Sequence, residues 1–464
     1  MTIDRMTTGA QLRQRRERLG LSQAKLAEIS GVSQHLLSAF ELGKVALAAP
    51  DLAVTLDAIR DSDQVMAVST RTKRYRERCY SEPPMLAARV AKAKPTRGNP
   101  GYVALLRELH AAHCAPKTAD LSALSLFSGC GGFSLGFSAA GFSIKGFVER
   151  EEPLRAIYRQ NFSDGVEIGA DITAISDGDL AARAAEIGPI DVIIGGPPCQ
   201  GFSLSGKRKV DDPRNQLFRH YLRFVDMFRP KMAVLENVRV LTSMRNAAGG
   251  LVRDDIRAEF GRHGYKVDFF EVNAKDYGVP QHRERVLFVA VRNDLPGHPS
   301  MPAATHGSGG GLFPGKLAWR TFADACSDLA YLESGGRSSD SLHEAVSHPS
   351  HVIEWLWDVP EGSSAHDNSD PQMRPPSGYN TTYKRQVWNE PAATVQTTFG
   401  MISGCRNVHP VATRALTIRE AARLQSFPDT YRFGGTLGCI RTGIGNAVPP
   451  LLARAIAMHV RRML

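Results

Sequence analysis

The chain has 464 residues, 42% hydrophobic and 22% charged, with a formal net charge of +10. This length exceeds what a single core usually fills, so more than one domain is expected. No run reaches the roughly 18 to 20 apolar residues of a membrane helix, and no apolar stretch follows the start as in a secretory signal, so no membrane partner is expected.

Seven cysteines, at 79, 114, 130, 199, 326, 405 and 439, form no paired metal spacing. No metal is therefore expected, and an odd, scattered set fits free thiols in a reducing cytoplasm. The positive charge is concentrated at the front: residues 1–119 hold 19 Lys and Arg against 11 Asp and Glu, which is +8 of the +10. Such a segment suits a polyanionic partner, most simply nucleic acid, and equally suits a solubilising surface. Charge alone leaves both readings open.

Residues 9–60 read as a small all-helical unit. Leu12, Arg16 and Leu19 mark a short amphipathic helix that stops at Gly20. Ser22 caps a second helix over 23–29, broken by Gly31, and Ser33 caps a third over 34–42, ended by Gly43. Two short helices joined by a tight glycine turn form a helix-turn-helix pattern, which a docking or dimerisation module could share. The string LRQRRERLGLSQAKLAEISGVSQHLLSAFELGK resembles the phage-repressor type of this motif. The resemblance implies that Gln34, His35 and Ser38 lie on the helix that enters a major groove, with Gln23 near phosphate. The unit is placed at 1–65. Residues 66–120, with the runs RTKRYRERCY and AKAKPTRGNPG, read as a basic linker containing a helix at 102–113.

From about 121 apolar strands alternate with amphipathic helices, the pattern of an α/β domain with a mostly parallel sheet. Strands are expected at 121–127, 143–149, just before Asp171, at 190–196, at 232–238 and from near Arg285. Residues 300–390 break this rhythm with Gly, Pro, Ser and His and read as a separate loop-rich domain. Helices are expected again at 416–427 and 449–464, the latter opening on a proline pair.

Phe127-Ser128-Gly129-Cys130-Gly131-Gly132 lies between a strand and a helix, where glycines let the backbone approach a ligand closely. Glu149 ends the second strand, placed to hold a ribose hydroxyl pair, and Asp171 follows the third, placed to accept from an adenine amino group. The turn has neither the Lys-Ser/Thr pair of a P-loop nor the dinucleotide glycine spacing. A nucleoside-bearing cofactor fits better than a phosphate-rich one.

The segment DVIIGGPPCQGFS ends a buried strand and presents Cys199 from a Pro-Gly loop. Pro198 stiffens the backbone before the thiol, and Gly201 leaves room for a flat substrate. Such a loop is poor core material, so Cys199 reads as a nucleophile rather than a packing thiol. Glu236-Asn237-Val238 ends the next strand, with a carboxyl group able to act as acid or hydrogen-bond donor. In Gln281-His282-Arg283-Glu284-Arg285 the two arginines alternate along a strand, so both could face one anion, or simply line an exposed edge.

Together these elements resemble the DNA cytosine-5 methyltransferase family. Its motifs stand in order: Phe-x-Gly-x-Gly at 127–131, Pro198-Cys199-Gln200, Glu236-Asn237-Val238, Gln-x-Arg-x-Arg at 281–285, and Gly445-Asn446-Ala447-Val448-Pro449-Pro450. RALTIREAARLQSFPDTYRF is similar to the helix the family places before the last of these. The resemblance covers 121–464. It implies a Rossmann-like catalytic domain at 121–295, a target-recognition domain at 296–410 and a C-terminal return to the catalytic domain at 411–464.

The resemblance also implies S-adenosylmethionine as cofactor, held by Phe127, Gly129, Gly131, Gly132, Glu149, Asp171, Ile172, Pro197, Leu217, Asn446 and Ala447. It implies double-stranded DNA as substrate, with the target cytosine flipped into the pocket. Cys199 would add to ring carbon 6 and Glu236 donate to ring nitrogen 3. Arg283 and Arg285 would hold the base oxygen and a nearby phosphate. Gln200, Ser203, Asn237 and Gln281 would shape the pocket and face the DNA. One position departs from the pattern: Gly443 stands where the family often has Gln. Two rivals remain at this stage, a tRNA-directed enzyme with the same motifs and a DNA-binding regulator with an inactive body. A combined reading has the front unit bind an operator while the body methylates other sites. A restriction endonuclease is then the expected genetic partner, and the expected location is the bacterial cytoplasm, at the nucleoid. The oligomeric state stays open.

Overall fold

The structure, a computed structural model, describes residues 8–18, 21–68, 100–117, 121–198, 216–246, 249–308 and 315–464. The chain divides into two compact units, residues 1–89 with 349–354, and the remainder.

The first unit holds helices Gly9–Arg18, Gln23–Ser30, Gln34–Glu41 and Ala49–Val68. Both expected serine caps form: Ser22 accepts from the Lys25 amide and Ser33 from that of Leu36. Gly31 turns the chain in the left-handed region at φ 72°, which side chains with a Cβ rarely adopt. Leu12, Leu26, Val32, Leu37, Phe40, Leu47 and Ile59 close the core. At roughly 1.5–3 kcal/mol for each fully buried large apolar side chain, so few residues make a modest core. A buried ion pair adds to it: Arg16 grips Glu41 through Nε–Oε1 at 2.6 Å and Nη2–Oε2 at 2.9 Å. Leu19 and Gly20 lie outside the described residues.

The second unit is built on a seven-stranded sheet: β1 Ser122–Leu126, β2 Ser143–Val148, β3 Val166–Gly169, β4 Val192–Gly195, β5 Met232–Val238, β6 Tyr265–Asn273 and β7 Glu284–Arg292. Their order is β3-β2-β1-β4-β5-β7-β6, all parallel except β7, which runs antiparallel to both its neighbours. The mixed α/β fold with a mostly parallel sheet is thus as expected. Strand β6 was not anticipated, because its residues are largely half-buried and carry no clean apolar run.

Strand side chains alternate between two cores. Val192 and Ile194 of β4 and Met232 and Val234 of β5 join one. Ile193, Ala233 and Leu235 join the other, with the apolar side of helix Gln216–Phe228. In the first core, helix Gly132–Ala139 packs so tightly on helix Pro450–Met463 that a Cβ at Gly136 would lie 2.3 Å from that of Ala453. The helix expected at 102–113 spans Pro100–Cys114.

Between β7 and the C-terminal helices regular structure is sparse, and buried polar groups organise the backbone. Arg385 Nη1 donates to the carbonyls of His409, Val411 and Ala412, and Nη2 to that of Leu356. Helix Ile418–Leu424 begins with a capping box of Thr417 and Glu420, and Glu420 also pairs with the buried Arg414 at 2.7 Å.

Candidate active site

The sheet reverses its order between β1 and β4, and ligands of such folds settle in the crevice outside the strand ends at that point. Each functional segment leaves its strand there. After β1 the chain turns sharply: Phe127, Gly129 and Gly131 have φ of 53°, 55° and 90°. The turn is packed on one side and open on the other. A Cβ on Gly131 would stand 2.6 Å from the Tyr431 hydroxyl and from Phe162, and one on Gly132 would stand 2.4 Å from the Val448 carbonyl. At Gly129 a Cβ would meet nothing within 4 Å. The backbone is therefore bare where it faces the crevice.

Glu149, just past β2, is buried, and its Oε2 accepts from the Gly129 amide at 2.7 Å while Oε1 accepts from that of Glu151 at 3.0 Å. Burial raises its pKa above the usual carboxylate range, against the pull of those amides. Asp171, after β3, is half-buried, and hydrogen bonds from the Thr173 amide and hydroxyl hold its pKa low. Ile172 is buried and Leu217 half-buried. Asn446 ends helix Leu437–Asn446 with its side chain exposed, and Ala447 caps that helix.

Beyond β4, Pro197 is buried and its carbonyl accepts from Asn237 Nδ2 at 2.9 Å. Cys199, Gln200 and Ser203 lie outside the described residues. Asn237 thus anchors the backbone two residues before the thiol. Glu236, beside it on β5, is 9% exposed and pairs with Arg285 of β7, Nε to Oε1, at 2.7 Å. Its other oxygen lies on the Gly196 side, 3.1 Å from where a Cβ on that glycine would stand. The carboxylate is held by one oxygen and turned by the other toward the segment that leads to Cys199.

Four expectations need correction. Asn237, expected to face DNA, is buried, and its amide donates to the Pro197 carbonyl. Gln281 cannot face DNA: it has no exposed surface, its Nε2 donates to the Leu424 carbonyl and Gln425 Oε1, and its Oε1 accepts from the Val395 amide. Arg283 is 1% exposed and donates to the carbonyls of Val395 and Gly445, so it braces two chain segments rather than meeting an anion beside Arg285. Burial, with Arg285 nearby, lowers its pKa well below the usual guanidinium value. In the first unit Gln34 and His35 are exposed at the start of their helix and Ser38 is half-buried. The Gln23 amide nitrogen, expected near phosphate, is committed to Glu41 at 2.7 Å.

Gln425 and Tyr431, both in the stretch RLQSFPDTYRF, belong to the site's surroundings without having been expected there. No local pattern singles them out, because that stretch mixes charged, polar and apolar residues. Gly443 stands in a tight place: a Cβ there would lie 3.0 Å from both Cys130 Cβ and Leu154 Cδ2, so a larger side chain requires those neighbours to shift.

Residues 121–462 match the model of the C-5 cytosine-specific DNA methylase family. The chain belongs to this family. The methylase is 39% identical over 348 residues to type II methyltransferase M1.HphI of Haemophilus parahaemolyticus, an alignment covering 74% of this chain and 87% of the relative. It is 34% identical over 382 residues to type II methyltransferase M.DdeI of Desulfomicrobium norvegicum, covering 73% and 88%. A crystal structure described as that of a prophage-encoded DNA modification methyltransferase from E. coli superposes with a TM-score of 0.57 at 26% identity, over 74% of this chain and 99% of that one. Ahead of the methylase body, residues 8–67 match a helix-turn-helix domain.

Proposed function

We propose that this methylase transfers a methyl group to carbon 5 of a cytosine flipped out of double-stranded DNA, as the modifying partner of a restriction endonuclease. The observation that carries the reading is the Glu236–Arg285 pair at 2.7 Å, on the strand whose next residue, Asn237, anchors the lead-in to Cys199. The names of the two relatives, both type II methyltransferases, support the restriction-modification role.

The Cys199 thiolate adds to ring carbon 6. The Glu236 carboxyl group donates to ring nitrogen 3, so negative charge does not build up on the ring. Arg285 fixes the orientation of that carboxyl group and reaches toward the base oxygen. Carbon 5 becomes nucleophilic and accepts the methyl group. Nitrogen 3 returns its proton to Glu236, and loss of the carbon 5 proton to a water base restores the 5,6 double bond and expels the Cys199 thiolate.

S-adenosylmethionine fits the other half of the crevice: the bare backbone at Gly129, buried Glu149, Asp171 and exposed Asn446 offer a close approach and polar groups suited to a nucleoside. When bound it supplies an electrophilic methyl group on a sulfonium. Phe127, Gly131, Gly132, Ile172, Pro197, Leu217 and Ala447 would complete its surroundings. Residues 296–410 are proposed to read the target sequence. The helix-turn-helix unit is proposed to bind an operator separately, through Gln34, His35 and Ser38. A cytoplasmic location is part of the same proposal, since the bacterial DNA that it would modify lies there.

Tritiated methyl transfer to duplex DNA and to tRNA tests the reaction. Label in DNA is expected; label in tRNA alone overturns the reading. For the operator, footprinting a deletion of residues 1–65 is expected to lose protection, and retained protection contradicts that role.

A further inference from the structure

Buried polar groups behind the reacting residues close into a ring. Gln425 Nε2 donates to the Ile444 carbonyl at 2.6 Å. The next carbonyl, Gly445, accepts from Arg283 Nη2 at 2.9 Å. Arg283 Nη1 donates to the Val395 carbonyl at 3.2 Å, and the Val395 amide donates to Gln281 Oε1 at 2.9 Å. Gln281 Nε2 returns to Gln425 Oε1 at 3.1 Å. Gln281 and Gln425 have no exposure, and Arg283 has 1%.

The ring joins four segments far apart in the chain, and two of them run directly into the site. Two residues past Arg283 stands Arg285, which holds Glu236. One residue past Gly445 stands Asn446. A third segment, around Val395, closes the 296–410 region, and its backbone touches the same glycine: a Cβ on Gly445 would lie 2.4 Å from the Thr397 amide nitrogen. The fourth contributes the Leu424 carbonyl, which also accepts from Gln281 Nε2, and Gln425, whose side chain alone links Gln281 to the Ile444 carbonyl. That link needs a short uncharged arm carrying one donor and one acceptor. Glutamate would turn an oxygen toward the Ile444 carbonyl, and methionine would keep the length but leave buried partners unsatisfied.

We propose that Gln425 is a positioning residue of the transfer reaction, which sets the spacing between the Arg285–Glu236 pair and the Asn446 side of the crevice. This rests on the functional reading above. It is tested on the full chain with Gln425→Met, Gln281→Met and the double variant. The readouts are S-adenosylhomocysteine affinity by calorimetry, kcat and KM on duplex DNA, and Tm. Each single variant is expected to bind S-adenosylhomocysteine about tenfold more weakly and, at saturating cofactor, to turn over about tenfold more slowly, the equivalent of one buried hydrogen bond. The double variant is expected to be no worse than either single one, because one break already opens the ring. A lower Tm with affinity and kcat unchanged in the singles, or effects that simply add in the double, overturns the proposal. Gln281→Met reads the same ring from the opposite side if Gln425→Met fails to fold. A wild-type protein that neither binds S-adenosylhomocysteine nor methylates DNA would sink the functional reading itself, and the proposal with it.

Discussion

In the helix-turn-helix unit, Gln34 and His35 stand exposed at the start of their helix, while Arg16 and Glu41 are buried. In the methylase body the order is inverted. Glu149 and Glu236, the groups proposed to meet cofactor and base, are themselves buried and hydrogen-bonded or ion-paired. The difference suits the two proposed tasks. Side chains that read a duplex can wait in water on a rigid scaffold, because the duplex brings its own edges and phosphates. Charge that must act on a flipped base has to be fixed beforehand in a water-poor site, where it is worth more and needs no reorganisation. The two units should therefore respond differently to substitution, one losing its fold when its buried pair is broken and the other losing its chemistry.

The largest expected effect is that of Glu236→Gln, with kcat reduced by about a thousandfold while the helix-turn-helix unit is untouched. Single-turnover methyl transfer on duplex DNA measures it, and near-wild-type turnover would place the acid elsewhere. Next is Arg16→Ala, which strands the buried Glu41 charge. In the folded unit, burial works to raise the Glu41 pKa, but hydrogen bonds from Arg16 and Gln23 hold it low. Losing Arg16 should destabilise the front unit by about 3 kcal/mol and leave methyl transfer intact. Amide exchange across residues 8–68 reads the first outcome, and a methylation assay the second.

Acid should act on the body through buried histidines. His113 and His348 are each lowered to about 4 by burial, from an ordinary 6.5. Between those values the unfolded chain binds more protons than the folded one, so stability is full above 6.5 and falls as pH drops toward 4. His348 accepts from the Ala415 amide as a neutral ring, a bond its protonation removes. A Tm series from pH 7 to 5 on wild type and His348→Gln should show a shallower decline in the variant. The smallest effect is expected for Tyr431→Phe, which removes the hydroxyl donated to the Cys130 carbonyl in the Gly turn. The loss should be about 1 kcal/mol in S-adenosylhomocysteine affinity, with little change in Tm.

Much of this architecture was legible in the residues. β5 spans the expected 232–238, and Ser22 and Ser33 cap where a serine ahead of an apolar period should. Strand-end positions placed Glu149, Asp171 and Glu236 along one crevice, because parallel strands share a carboxyl edge. Depth was not legible. Gln281 and Arg283 look like surface polar residues in one dimension, and only the fold shows them bonded to carbonyls that arrive from more than a hundred residues away. The ring they form needs partners from four segments, and no local pattern announces it. Strand β6 was missed for a related reason: it is an edge strand, so its pattern is set by one neighbour and by solvent.

The central claim is tested most directly by bisulfite sequencing of DNA from a host expressing this chain or its Cys199→Ser variant. The account predicts cytosines protected at one recurring short sequence with the wild-type chain and at none with the variant. Protection that persists in the variant, or no protected cytosine with the wild type, would contradict it.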